Sequence, residues 1–149
     1  MNEPASKTVD TALRSLAKDG ELSIRVSGVC MQPLINDGAR VIVHKQSLYW
    51  PGDVLVKRGF QGQLFAHRLI GFYPRKGGLF FVSCADNTVF ADAPVAGSLI
   101  IGRVSGGECA GSVVRVPLRK RIKAFGQFVW WFVRRVGHRI MRMFQSLRA

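Results

Sequence analysis

Long apolar runs, cysteine and acidic side chains are all scarce in this chain. Nothing approaches about 20 consecutive apolar residues, so no segment reads as a membrane-spanning helix. The opening Met1-Asn2-Glu3-Pro4-Ala5-Ser6-Lys7 is followed by no apolar run, and no secretory signal is expected. Cysteine occurs only at Cys30, Cys84 and Cys109. These cannot all pair within one molecule, and no C-x-x-C spacing exists for zinc. Free thiols in a reducing compartment are therefore expected, with no metal and no cofactor. Asp and Glu total 9 against 22 Lys and Arg, a formal net charge of +13. That balance favours a polyanionic partner.

At 149 residues the chain is long enough to bury one core without disulfides or metal. Residues 9–17 read as a short amphipathic helix ended by Lys18-Asp19-Gly20. Strand-like runs follow at 22–26, 39–44, 53–57, 63–72, 79–83, 99–104 and 112–116. Turn signals separate them at Asn36-Asp37-Gly38, Pro51-Gly52, Arg75-Lys76-Gly77-Gly78 and Gly106-Gly107. Many short strands with little intervening helix predict a mainly β fold of antiparallel sheets. The expected organisation is an N-terminal helical arm over 1–20, a β domain over 21–116 and a helical tail over 117–149.

A thiol attacks carbonyls as the thiolate, so it needs a base, and a third group must fix the tautomer of that base. Cys30, His67 and Asp92 supply one of each. Taken singly, Cys30 also suits a small buried residue, and His67 a hydrogen-bonded core histidine on an apolar strand. Met31 and Pro33 suit a core and a turn, and Gly52-Asp53 is a common turn pair. Asp86 and Asn87 are expected to structure their loop, with the Asp86 carboxylate bonding backbone N–H groups. Arg68 is expected to face away from His67 as a surface or structural residue. Cys84 and Cys109 read as bystanders.

The residues around these positions form ordered boxes. Cys30-Met31-Gln32-Pro33 comes first, then Pro51-Gly52-Asp53-Val54-Leu55-Val56 and Phe65-Ala66-His67-Arg68-Leu69-Ile70. Ala85-Asp86-Asn87-Thr88-Val89-Phe90-Ala91-Asp92 and Ile100-Ile101-Gly102-Arg103-Val104 complete the series. In order and spacing the chain resembles the signal peptidase superfamily, which also contains the self-cleaving repressor and mutagenesis proteins. In that family the nucleophile precedes Met-x-Pro and a Gly-Asp box opens a strand. In its histidine branch, typical of the endoplasmic reticulum and archaea, the base heads a His-Arg-Val-like strand. The last aspartate of a Gly-Asp-Asn-Asn-x-x-Asp-Asp box then orients that base.

The resemblance covers about residues 22 to 105. It implies coiled antiparallel sheets, partly barrel-like, with Cys30, His67 and Asp92 as the triad. It also implies that Ser27, Gly28, Cys30 and Met31 line the oxyanion and substrate site, with a peptide bound there as an extended strand and small residues near the cut. Two positions depart from the family. Cysteine stands where the family has serine, which suits a histidine partner because a thiol is the stronger acid. Gly28 stands where the family commonly places a serine hydroxyl that helps bind the oxyanion, and losing such a donor lowers rates by about two to three orders of magnitude.

The tail carries Arg119-Lys120-Arg121-Ile122-Lys123 and then aromatic residues among arginines. Phe125, Phe128, Phe132, Val136, Ile140, Met143 and Leu147 recur at helical steps as one apolar face. A basic helix of this kind suits the plane of an anionic membrane, with Phe128, Trp130, Trp131, Phe132, Arg134 and Arg135 at the surface. A partner protein and packing on its own domain compete with that reading. Nucleic acid ranks last, because no recognition module accompanies the charge.

These readings lead to the expectation of a Cys-His-Asp endopeptidase that matures a precursor protein or leader peptide. It would be cytoplasmic, since signal peptidases normally have a spanning anchor and none is read here, and attached peripherally to the inner membrane face through the basic tail. The alternative is a catalytically degenerate member that binds a peptide or membrane. Self-cleavage is less attractive, because only a short arm precedes Cys30.

Overall fold

The computed structural model describes residues 20–59 and 63–146, with the side chains of 138–140 and 142–146 left aside. The helix expected over 9–17 lies outside the described residues. Seven strands, β1 (Glu21–Arg25), β2 (Arg40–His44), β3 (Val54–Arg58), β4 (Leu64–Arg75), β5 (Gly78–Cys84), β6 (Val95–Ala96) and β7 (Ile100–Gly107), form one antiparallel sheet. Their order is β1-β2-β7-β3-β4-β5-β6, curled into a half-barrel. The fold is thus mainly β, as the short strands and frequent turn signals predict. The two-residue turn Lys76-Gly77 closes the β4–β5 hairpin, with Arg75 opposite Gly78.

Strand β3 shows how the core is divided. It lies between β7 and β4, so both of its edges are paired, and both faces are covered as well: Val54, Leu55 and Val56 are all buried. Side chains alternate between the two faces of a strand. Val54 and Val56 therefore join Met31, Ile35, Val41 and Val104 in one cluster, while Leu55 joins Tyr49, Leu69, Phe81 and Ile100 in another.

The strand expected over 112–116 is instead a short helix, α1 (Gly111–Val114), whose Val113 is buried in the first cluster. Two adjacent valines favour a strand locally. Here no sheet edge pairs with them, and the backbone closes helical turns such as Arg115 N–H to the carbonyl of Gly111. Strand β6, only two residues long, has too little periodicity to be read from sequence.

Helix α2 (Leu118–Ser146) docks on the sheet through Ala124, Phe128 and Trp131, which pack with Ile70, Val82 and Cys84. Gly71 makes this approach possible, since a Cβ there would overlap the Phe128 ring. An ion pair fixes the start of the helix: Arg121 Nη2 donates to Asp53 Oδ1 at 3.1 Å. Asp53 is 1% exposed and also accepts the N–H of Trp50 at 2.9 Å. The Gly-Asp box is therefore the joint between the sheet and the helix.

Candidate active site

Strand register decides which side chains of β3, β4 and β5 meet. Leu55 pairs with His67, Lys57 with Phe65, and Leu69 with Ser83. Directly paired residues share a face, and alternation carries that face from Leu55 to Lys57 and from Leu69 to His67. Lys57, His67 and Ser83 thus lie on the same side of the sheet. Asp92 arrives over them from the loop after β5, with its backbone N–H on the Ser83 carbonyl at 2.7 Å.

One carboxylate oxygen gathers all three. Asp92 Oδ2 lies 2.7 Å from His67 Nδ1, 2.7 Å from Lys57 Nζ and 2.8 Å from Ser83 Oγ. Lys57 Nζ also donates to Ser83 Oγ at 2.8 Å. Burial alone would raise the Asp92 carboxyl. Hydrogen bonds from His67, Lys57 and Ser83, together with the Lys57 charge, outweigh it and hold the group well below the usual carboxylate range. Asp92 is therefore anionic across the physiological range, and its bond selects the His67 tautomer with hydrogen on Nδ1. Among the described residues Nε2 has no hydrogen-bond partner, which leaves it available as a base.

The loop that supplies Asp92 also holds the loop of Cys30. Asp86 N–H donates to the Cys30 carbonyl at 3.0 Å, and Asn87 Nδ2 donates to the Val29 carbonyl at 3.1 Å. Asn87 therefore structures two loops at once. The Asp86 carboxylate does not bond backbone N–H groups as expected. Instead Arg68 Nε and Nη2 grip it bidentately, at 2.6 Å each, while Arg68 Nη1 donates to the Gly52 carbonyl at 2.6 Å. Arg68 does face away from His67, but into protein: it is 7% exposed, so a surface role is excluded. A guanidinium this buried needs a charged partner, and Asp86 is that partner.

Cys30 is exposed at the rim of a cleft of about 80 Å³ that it shares with Ser27, Gly28, Met31, Phe65 and His67. Among the described residues no hydrogen bond joins its thiol to His67. Such contacts are often loose before substrate closes over a site. The Met31 side chain is 2% exposed and anchors the loop in the core. The N–H groups of Cys30 and Met31 have no protein acceptor among the described residues, so both are available to an oxyanion. Gly28 is not: its N–H donates to Asp37 Oδ1 at 2.8 Å. Its φ of +100° lies where a side chain is strained, which explains the glycine.

The cleft lies between two strand edges with unmet backbone groups. Strand β1 ends the sheet, and β4 pairs with β5 only from Arg68 onward, so Leu64–His67 has a partner on the β3 side alone. An extended peptide placed there would find backbone donors and acceptors on both flanks.

The other expected site residues divide. Trp130, Phe132, Arg134 and Arg135 are exposed on α2, whereas Phe128 and Trp131 pack against the domain and leave the surface group. Burial pushes the Cys84 thiol up to about 11, reinforced by the charges of Asp86 and Asp92, so it is protonated and inert. Burial also raises the Cys109 thiol. No cluster of three His, Cys, Asp or Glu suited to a metal occurs among the described residues.

Sequence reasoning missed Lys57 and Ser83. The signal for Lys57 was a charged residue inside the apolar run of β3, where a lysine is 7% exposed only if something neutralises it.

No protein-family model and no curated protein matches the chain. The functional reading therefore rests on this geometry and on the ordered boxes.

Proposed function

We propose that the chain is a cysteine-dependent endopeptidase of the signal peptidase superfamily, with Cys30, His67 and Asp92 as its triad. One observation carries this reading: Cys30 and His67 line the same cleft, while Asp92 engages His67 Nδ1 at 2.7 Å.

His67 Nε2 takes the thiol proton, and Cys30 Sγ adds to the scissile carbonyl carbon. The oxyanion of the tetrahedral intermediate is met by the N–H of Cys30, with that of Met31 beside it. The C–N bond then breaks, and the imidazolium gives its proton to the leaving amine. This leaves a thioester on Cys30. Water, deprotonated by the same imidazole, hydrolyses the thioester, and the thiol recovers its proton. Asp92 stabilises each imidazolium formed. The substrate lies extended between the edge of β1 and Leu64–His67 of β4. The small cleft, bounded by Ile24, Val26 and Ala66, favours small side chains near the cut. The biological task consistent with this is maturation of a precursor protein or leader peptide at the cytosolic face of a membrane.

A second reading, a degenerate member that binds peptide without cutting it, is favoured by the missing thiol–imidazole hydrogen bond and the occupied Gly28 N–H. Labelling with iodoacetamide separates the two. Cys30 should react at least about tenfold faster than Cys109, and His67→Ala should abolish that advantage. Equal rates at both thiols, unaffected by His67→Ala, would sink the peptidase reading.

A further inference from the structure

Helix α2 carries a second apolar stripe that is exposed among the described residues. The docked face is Ala124, Phe128 and Trp131. On a separate face, Leu118, Ile122, Phe125, Val129, Val133 and Val136 recur at three- and four-residue steps, and every one is exposed. At 1.5 Å per residue they form a continuous band about 27 Å long. Isolated exposed apolar residues are ordinary, but an unbroken band of this length marks an interaction surface.

The band continues onto the sheet. Trp50, between β2 and β3, is 56% exposed and borders an apolar groove of about 450 Å³ with Ile122, Phe125 and Phe72. Trp50 is distant from α2 in sequence, so a helical periodicity search could not include it.

The charge around the band selects the occupant. Among its 29 residues α2 has eight Lys or Arg and no Asp or Glu. Arg119 and Lys123 are exposed beside the band. Arg134 stacks over the Trp130 ring at 4.5 Å on the flank of the helix toward Val89 and Phe90, where a cation and an amphipathic aromatic lie together. A protein partner would need a matching acidic rim, and a second copy would set two strongly cationic helices against each other. An anionic bilayer satisfies both the apolar band and the cations. Among the described residues no helix is long and apolar enough to cross a membrane.

We infer that α2 and Trp50 together form an in-plane docking surface for an anionic phospholipid bilayer. The Leu118–Val136 band sinks into the acyl boundary, Arg119, Lys123 and Arg134 meet headgroup phosphates, and Phe128 and Trp131 keep the helix on the sheet. The lipid-facing band shares Phe125 and Val136 with the periodic face read from sequence, but leaves out Phe128, which packs on the sheet. On β4, Gly71 stands under the docked face of the helix, four residues and about 13 Å along the strand from His67.

This inference does not depend on the peptidase reading, and Cys30→Ala protein serves as the test molecule. Its sedimentation with vesicles is measured for equimolar phosphatidylglycerol and phosphatidylcholine against phosphatidylcholine alone. Binding should require the anionic lipid. The double variant Ile122→Asp, Val129→Asp, both at exposed positions, should weaken it by about a hundredfold or more. Lys123→Gln should weaken it about fivefold, and Trp50→Ala should weaken it as well. Thermal unfolding of each variant shows that the fold is kept. Undiminished binding by the double variant overturns the proposal, as does equal binding to both vesicles. A concentration-dependent dimer that the double variant abolishes, without anionic-vesicle binding, overturns it in favour of a second copy.

Discussion

Lys57 Nζ lies 2.7 Å from Asp92 Oδ2, the same oxygen that His67 Nδ1 engages. The proposed Cys30, His67 and Asp92 triad is thereby coupled to a buried cation on the neighbouring strand. The positive charge offsets part of the field that Asp92 exerts on the imidazole. Lys57 also helps hold the Asp92 carboxyl below its ordinary range. Lys57→Met should therefore let that carboxyl rise, so that the loss of the Asp92 contribution to stability in acid begins at higher pH than in the native protein. Denaturant unfolding measured from pH 3 to 7 tests this. An unmoved acid limb would show that Lys57 does not support the carboxylate.

Asp92→Asn removes the charge that the three donors share. Lys57 is then a buried cation with no anionic partner, and breaking a buried pair from one side costs about 3–5 kcal/mol. The amide also ceases to select the Nδ1–H tautomer, so the His67-dependent reactivity of Cys30 should fall on the order of 10³- to 10⁴-fold. Denaturant unfolding and alkylation of the same variant check both effects. In the native protein the sign with pH follows from the depressed carboxyl. The contribution of Asp92 to stability is complete above its unfolded pKa of about 3.9 and is lost as pH falls through the lower folded value. The slope of stability against pH contributed by this residue should vanish above about pH 5 and appear only in acid. Asp92→Asn should remove it.

The difference between what the sequence revealed and what it hid comes from the range of each contact. Six of the predicted strand runs are strands, because alternation and turn residues are local signals. His67 and Asp92, which meet at 2.7 Å, and Cys30, at the rim of the cleft beside His67, each lie within a short box of their own. Lys57 was not legible, since its partner Asp92 is 35 residues away and the pairing exists only through the β3–β4–β5 register. Asp86 was misread for the same reason: an Asx turn is the local choice of its side chain, and the long-range demand of buried Arg68 overrode it. On α2, periodicity marked apolar positions correctly but could not say which of two stripes would meet the sheet. Gly71 decides that, by admitting Phe128.

Gly28→Ser adds the hydroxyl that the resemblance to signal peptidases would place there, yet the backbone argues against a gain. Space is open around the site, with nothing within 4 Å of an added Cβ, so no clash is expected. The φ of +100° remains, and a side chain there costs roughly 1–2 kcal/mol. The variant should unfold at lower temperature and cleave or alkylate no faster than the native protein. A rise in rate of tenfold or more would instead show that the loop can rearrange to use the hydroxyl.

Arg68 and Asp86 form the remaining link between the two loops of the site. The Asp86 carboxylate is fixed by Arg68, and the Asp86 backbone N–H in turn holds the Cys30 carbonyl at 3.0 Å. Releasing the carboxylate should therefore loosen the nucleophile loop as well as weaken the fold. Arg68→Met leaves Asp86 without its partner and should cost about 3–5 kcal/mol. Asp86→Asn in the same chain removes the stranded charge and should recover part of that loss, with a coupling of about 0.5–3 kcal/mol in the double-mutant cycle. Stability recovered in the double variant should not restore the site, because two apolar or neutral groups cannot reproduce a bidentate grip. Hydrogen exchange around residues 29–32 should stay faster than native in the double variant, and Cys30 should lose its dependence on His67. Native exchange there, with native alkylation, would show that the Asn87 bond to Val29 suffices to hold the loop.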